Sequence, residues 1–325
     1  MTKKLTRRVV LGAPLAGAAL AAAPALAASY PSRTITLVVP FSTGGGTDIV
    51  ARIIAPKLAE VLKQSVIVEN KPGASAIVGT EFVVHSPPNG YTLLVGPVGV
   101  VINDAIYKNL PYNVMTDLVP VTEIVTVPLF FIVKGSSPIK SMRDLVAYCK
   151  AHPKKATFAS ASGTFWLTAE LFAQKAGIKL TRVAYKGAGG MTLAVTSGEV
   201  LFATPDAAAI SGQIGTGSIR VLATTLPYRV PGFPNIPTMA EAGIPGVAVT
   251  NWNGLWAPAG TPPAIVEQLN RATRQVLAMP DVKDKLEKLH LIISDDSVAD
   301  FKKVVEQNLN LWKDVAKSTG ISVTL

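Results

Sequence analysis

Hydrophobic positions along the chain fall into short β-branched runs that alternate with longer stretches of helical spacing. Ile35–Pro40 reads as a strand, Ile49–Leu62 as a helix and Val66–Glu69 as a strand. A helix follows over Ile77–His85, started near Ala74-Ser75, and then a strand over Thr92–Gly96. This alternation predicts an α/β unit with a largely parallel sheet. The same grammar returns after an extended segment, Val119–Val133: helix Ser141–Lys150, strand Thr157–Ala159, helix Leu167–Ala176, strand Thr181–Tyr185, helix Met191–Thr196, and strands Val200–Ala203 and Ile219–Thr224. An irregular stretch then carries Pro231, Pro234, Pro237 and Pro245. Val247–Leu255 reads as extended and is placed to cross back to the first unit. Three helices close the chain, Pro263–Leu277, Val282–Leu289 and Ser297–Ser318. In the last, Phe301, Val304, Val305, Leu309, Leu311, Trp312 and Val315 recur near helical spacing, as a core-facing stripe does.

The junction of the first strand and first helix carries the most chemistry. Phe41-Ser42-Thr43-Gly44-Gly45-Gly46-Thr47-Asp48 is a glycine turn that opens directly onto a helix. Glycines leave backbone N–H groups uncovered, and the first helical turn adds unpaired donors and a partial positive charge. The result is a seat for an anion, most simply a carboxylate. The loop has no Lys and lacks the G-x-G-x-x-G spacing, so it is neither a P-loop nor a dinucleotide fingerprint. The alternative is a tight turn with Thr47 as N-cap. In the second unit, Ser160-Ala161-Ser162-Gly163-Thr164 joins a strand to a helix in the same manner. Ligands of α/β sheets bind beyond the carboxyl ends of the strands, where both turns fall.

Composition narrows the function. Lys3, Lys4, Arg7 and Arg8 precede an alanine-rich apolar run, Val9–Ala23, and an A-x-A pattern, Ala25-Leu26-Ala27. This is a secretory signal peptide over residues 1–27, which places the protein in the periplasm after cleavage near Ala27. General export is favoured, although Thr6-Arg7-Arg8-Val9-Val10-Leu11 also resembles a twin-arginine signal. Removal leaves 325 − 27 = 298 residues and lowers the net charge from +10 to 10 − 4 = +6. The excess charge is spread out, with no basic run interleaved with aromatics, so no nucleic-acid partner is expected. The single cysteine, Cys149, cannot form an internal disulfide. His85, His152 and His290 are scattered, and neither H-E-x-x-H nor G-x-S-x-G occurs; no metal, cofactor or catalytic residue is expected.

A set of short motifs in a fixed order gives a resemblance. Val39-Pro40-Phe41 with Gly44-Gly45-Gly46-Thr47-Asp48 is followed by Ala51-Arg52, by Val68-Glu69-Asn70-Lys71-Pro72-Gly73-Ala74 and by Asn89-Gly90-Tyr91-Thr92-Leu93-Leu94. Tyr107, Leu110-Pro111-Tyr112, Tyr185-Lys186-Gly187, Pro237-Thr238-Met239-Ala240-Glu241-Ala242-Gly243 and Ala257-Pro258-Ala259-Gly260-Thr261-Pro262 come later. From Tyr30 to the C-terminus the chain resembles the Bug/TctC solute-binding receptors of tripartite tricarboxylate transporters. The resemblance implies a type II-like Venus-flytrap with two α/β lobes and mixed, mostly parallel sheets. It implies lobe 1 over 28–126 plus 250–325 and lobe 2 over 127–249, with the C-terminal helices free to pack on both. It further implies a monomer that holds a small organic carboxylate between loops of both lobes and passes it to membrane transporter subunits. An extracytoplasmic sensor subunit is the alternative.

Onto this chain the expected ligand-binding residues are Phe41, Thr43, Gly44, Gly45, Gly46 and Thr47 from the first loop and Ser160, Ser162, Gly163 and Thr164 from the second. Tyr185, Asp206 and Trp252 complete the set. Asp206 could accept a hydrogen bond from a ligand, but capping the helix that follows is the stronger reading, and Trp256 reads as core. Asp48 would repel a carboxylate and is read as a brace for its own loop. Lys186 is either an anion partner or a solvated lysine. Two departures from the family pattern bear on the ligand: Ser42-Thr43 replaces two prolines, and the second loop is one residue shorter, with Phe165 and Trp166 in place of polar residues. If those rings face the cleft, the ligand has an apolar or aromatic body and is not citrate.

Overall fold

The structure, a computed structural model, describes residues 30–324. The expected signal peptide and its cleavage pattern lie outside the described residues. The chain opens with β1 (Ile35–Val39), α1 (Gly46–Leu62), β2 (Val66–Asn70), α2 (Ile77–Val84), β3 (Thr92–Pro97) and α3 (Gly99–Ile106). A single turn, α4 (Val114–Asp117), leads into β4 (Leu118–Val127) and β5 (Phe130–Lys134). Then come α5 (Met142–Ala151), β6 (Thr157–Ser160), α6 (Gly163–Ala176), β7 (Thr181–Ala184), α7 (Gly187–Ser197), β8 (Phe202–Ala203), α8 (Ala207–Ile210) and β9 (Ile219–Thr224). The chain ends with β10 (Asn251–Pro258), α9 (Pro263–Leu277), α10 (Pro280–Lys288), β11 (Ile292–Ile293) and α11 (Val298–Thr319).

These strands make two mixed sheets. The first runs in the order β11-β4-β10-β3-β1-β2 and the second β7-β6-β8-β5-β9. Parallel pairing is confined to β2-β1-β3 and to β7-β6-β8, where helical crossovers join the strands. The long strands β4, β5 and β10, with β9 and β11, pair antiparallel. Antiparallel pairing therefore holds a larger share than the βαβ rhythm suggests, because the strands passing between the units carry no crossover helix. β4 lies in the first sheet and β5, after two intervening residues, in the second; β10 returns after β9 and lies between β4 and β3.

β1 is buried almost throughout, as its Ile-Thr-Leu-Val-Val run requires of a central parallel strand. The largest core cluster is continuous across the two sheets. It holds Leu94, Trp252, Trp256 and Phe301 on one side and Phe131, Phe158, Phe172 and Phe202 on the other. The predicted stripe of the last helix is largely realised: Phe301, Val305, Leu309, Trp312 and Val315 of α11 are buried. Through them α11 packs on α3, β4 and α6, touching both sheets' units. Cys149 is buried, as expected of an inert thiol, and burial pushes its pKa up to about 11. Among the described residues no helix is long and apolar enough to cross a membrane.

Candidate functional site

The chain leaves β1 at Pro40 and turns through Ser42–Gly46, all exposed, with Gly44 at φ 85°. Gly45 is the N-cap of α1 and gives its helix no side-chain acceptor. Thr47, expected as that cap, lies inside the helix; its hydroxyl donates to Asn253 Oδ1 at 2.8 Å and ties α1 to β10. The first helical N–H to reach a carbonyl is that of Ile49, which donates to Gly45 O. The N–H groups of Gly46, Thr47 and Asp48 therefore have no intrahelical acceptor.

Asp48 is buried and braces the loop from behind. It accepts from the Gly44 N–H at 2.8 Å, from Arg52 Nε at 2.9 and 3.0 Å, and from Asn70 Nδ2 at 2.9 Å. Burial by itself works to raise its pKa, but these hydrogen bonds, led by that of Arg52, hold the carboxyl below its ordinary value. Asn70 also donates to Phe41 O and accepts from the Thr43 hydroxyl. Phe41 itself is partly buried against the core beside α1.

The second turn repeats this plan. Ser162 is the N-cap of α6, yet its hydroxyl makes no capping bond. The first N–H with a helical acceptor is that of Trp166, bonded to Ser162 O, so the N–H groups of Gly163, Thr164 and Phe165 are left without one. Side chains close the starts of α4, α5, α8 and α11, through Asn113, Ser141, Asp206 and Ser297, while α2, α3, α7, α9 and α10 have no side-chain cap. The two starts expected to bind an anion lack that closure.

α3, which the periodicity did not reveal, brings the units together here. Val98 N–H donates to Trp252 O, fixing the start of α3 against β10. A Cβ added at Gly163 would come 3.1 Å from Ile102 Cγ2 of α3, and one at Gly99 would come 3.9 Å from Thr164 Oγ1. The start of α6 thus abuts the start of α3, at the junction of the two units.

Trp252 is a correction. It is fully buried, 5.1 Å from the Phe301 ring and 5.9 Å from that of Trp256, so its ring packs in the core, with its indole N–H left without a partner among the described residues. Its contribution to the site is the backbone carbonyl that holds α3. Trp166 is also drawn elsewhere: its indole donates to Glu170 and the Arg182 guanidinium lies 4.3 Å over its ring. Phe165 packs against the core of the second unit. Asp206 caps α8, accepting from Ala209 N–H at 3.0 Å, and burial holds its pKa above the ordinary range. Tyr185 packs its ring on the same core; burial, and then Glu199, pushes its phenol up to about 12. Lys186 is exposed at the start of α7.

One residue was missed. Thr204 follows β8, which pairs parallel with β6, so Thr204 stands beside Ser160 at the carboxyl edge of the sheet. Its hydroxyl is buried and has no partner among the described residues. A buried hydroxyl left this way needs a ligand or water to complete it. The one available sign was its place at the end of a strand. The described residues also line a cavity of about 760 Å³ between Val230–Gly232 and α9–α10, but none of the seat residues borders it. Among them, no group of three or more His, Cys, Asp and Glu side chains is placed to hold a metal ion.

Two α/β units joined by crossing strands, with small-residue helix starts at the carboxyl edges of their sheets, make the two-lobe architecture of periplasmic binding proteins. Residues 50–321 match the model of the tripartite tricarboxylate transporter family receptor, TctC, and the chain belongs to that family. A solved structure of R. palustris Rpa4515 with adipate is 35% identical, with a TM-score of 0.81, over 91% of this chain and 100% of that one. The periplasmic binding protein BugD is 30% identical, with a TM-score of 0.78, over 91% and 100%. MatC (Rpa3494) from Rhodopseudomonas palustris, solved with bound malate, is 30% identical, with a TM-score of 0.78, over 88% and 99%. The Bug/TctC resemblance and the two-lobe fold read from the sequence are thereby shown.

Proposed function

We propose that this protein captures a small organic carboxylate between its two lobes and delivers it, as a monomer, to the membrane subunits of a tripartite tricarboxylate-type transporter. The observation that carries this reading is the pair of turns built from glycine and small hydroxyl residues, at Gly45–Asp48 and Ser162–Phe165, each of which follows a parallel strand and opens a helix whose start has no side-chain cap. Each offers N–H donors and the positive end of a helix dipole, worth roughly 0.3–1 kcal/mol per helix and ~2 when partly buried. No Arg or Lys stands in either turn, which favours one carboxylate per seat over a trianion. Adipate and malate in the related structures are of this class. The lobes are taken as 28–126 with 250–325, and 127–249. The binding residues are taken as Phe41, Thr43–Thr47, Ser160, Ser162, Gly163 and Thr164, with Thr204 added and Tyr185 and Asp206 as flanking groups.

A carboxylate that touches both seats makes its full set of contacts only when the lobes close, so binding shifts the protein toward the closed state. The function is capture rather than catalysis, in keeping with the receptor character of the family. The sensor alternative draws support from neither the site nor the relatives. A thermal-shift screen of mono-, di- and tricarboxylates tests the proposal, because a ligand that binds only the folded state raises the midpoint. Dicarboxylates with a short aliphatic body should raise it most. A flat response to every acid would overturn the reading, and citrate as the sole stabiliser would overturn its ligand class.

A further inference from the structure

Of the five non-glycine residues with positive φ among the described residues, three stand in a row: Ala74 at 43°, Ser75 at 55° and Ala76 at 80°. They follow Gly73, at φ 147°. A single left-handed residue at a helix end is ordinary, and Lys63 plays that part after α1. Three in succession are not, because each Cβ crowds the next carbonyl. Such backbone persists only where its surroundings hold it, and it gathers at ligand clamps.

The surroundings here are those of the cleft. β1, β2 and β3 are parallel neighbours, so the segments that follow them share one edge of the sheet. The strained run lies in the segment after β2, beside the glycine turn that follows β1. A Cβ at Gly79 would come 2.8 Å from Pro40 Cα and from Lys71 O, so α2 presses on the residue that opens the first seat. On its other side, Asn103 Nδ2 of α3 donates to Ser75 O at 2.8 Å. Asn103 is buried, Ser75 is exposed, and α3 begins beside Thr164 of the second seat. The run therefore lies between α3, whose start abuts the second seat, and α2, which presses on the residue that opens the first, with Ser75 exposed.

We propose that Gly73–Ala76 is a third ligand-contacting element, in which Ser75 presents its hydroxyl to the second carboxylate of a dicarboxylic acid. Asn103 is the positioning residue that holds the run in its left-handed form. This inference rests on the proposed function and adds to it a basis for preferring diacids to monoacids.

The test compares adipate with hexanoate by calorimetry on the mature protein. The unmodified protein should bind adipate at least tenfold more tightly. Ser75→Ala should weaken adipate by about tenfold, leave hexanoate within twofold, and leave the thermal midpoint of the ligand-free protein nearly unchanged. Ser75→Gly relieves the strain and removes the hydroxyl, so it should raise that midpoint while weakening adipate. Adipate affinity unchanged in both variants overturns this inference alone. Equal weakening of both acids also overturns it, since the hydroxyl would then not read the second carboxylate. No binding of either acid by the unmodified protein overturns the proposed function, and this inference with it.

Discussion

At the start of α1 a buried carboxylate gathers the loop around itself; at the start of α6 no side chain does so. Asp48 receives the Gly44 N–H, Arg52 and Asn70, and Asn70 in turn holds Phe41 and Thr43. The second turn has a hydrogen bond from the Ser160 hydroxyl to Ser162 O, at 3.2 Å, and otherwise relies on Gly163 lying against Ile102. The first seat is thus fixed by its own lobe, whereas the second takes its shape from packing against α3 of the other unit. Two helix starts with the same donors can differ in how much order a ligand must impose. By this account the entropy lost on binding falls mainly on the second seat.

The strongest way to break the contrast is to remove the brace. Asp48→Ala leaves Gly44 N–H, Arg52 and Asn70 without their shared acceptor. Loss of one partner from a buried pair costs roughly 3–5 kcal/mol, and the half-exposed Arg52 reduces this to about 2–3 kcal/mol. Urea unfolding measures it; a loss under ~0.5 kcal/mol would show that the first seat is not held this way. The low pKa of Asp48 stabilises the fold above the ordinary carboxylate range, and that stability is lost as pH falls through the folded value. Asp48→Ala should therefore flatten the acid limb of the stability curve.

Glu123 sharpens the same contrast with the opposite sign. It is buried on β4, the strand that leads toward the second sheet, and its hydrogen-bonding partner is the Thr126 hydroxyl rather than a cation. Burial raises its pKa to about 7, the Thr126 bond opposes this, and Asp296 adds to it. The folded state then holds a proton that the unfolded state releases, so stability falls as pH rises from about 4.5 to about 7. The full shift corresponds to no more than about 3 kcal/mol. Glu123→Gln should raise stability at pH 8 by about 2 kcal/mol and remove that slope. An unchanged profile would mean that Glu123 is ionised in the folded protein.

A smaller effect separates closing a seat from damaging it. Ser162→Asp places a carboxylate where it can accept from the open N–H groups of α6, stabilising the helix by about 1 kcal/mol. The same group repels the ligand, so affinity should fall about tenfold while the midpoint rises. A stabilised variant with normal affinity would take the second seat out of the site. Last, Trp252→Phe should cost about 1–2 kcal/mol of stability through lost packing and leave affinity within twofold. A selective loss of affinity would return Trp252 to the cleft.

What the sequence made legible follows the same physics. The bounds of α9 were readable because polar and apolar positions recur there at clear helical spacing, whereas β10 starts at Asn251 rather than Val247 and is buried almost throughout, so no alternation marks its ends. The glycine turns announced both seats. The helices behind them begin earlier than their periodicity: α1 at Gly46 rather than Ile49, α6 at Gly163 rather than Leu167, α7 at Gly187 rather than Met191. Glycine and hydroxyl residues are weak helix formers, so a first turn built from them hides the helix start while exposing its donors. α3 stayed hidden because Val100, Val101, Ile102 and Asn103 are all buried, which erases the polar face that marks a helix. Trp252 was misplaced because an aromatic near a crossing strand reads alike whether it faces cleft or core. Thr204 offered only its place at the end of a strand, and the run at Ala74–Ala76 depends on neighbours from distant segments, which no local pattern encodes.

The central claim is that backbone donors at two unclosed helix starts recognise carboxylate charge without a cation. Calorimetric titration of the mature protein with adipate and with its neutral diamide tests it most directly, since the two share length and apolar body. The account expects saturable one-to-one binding of adipate and at least a hundredfold weaker binding of the diamide. Comparable affinity for both, or binding of the diamide alone, would contradict it.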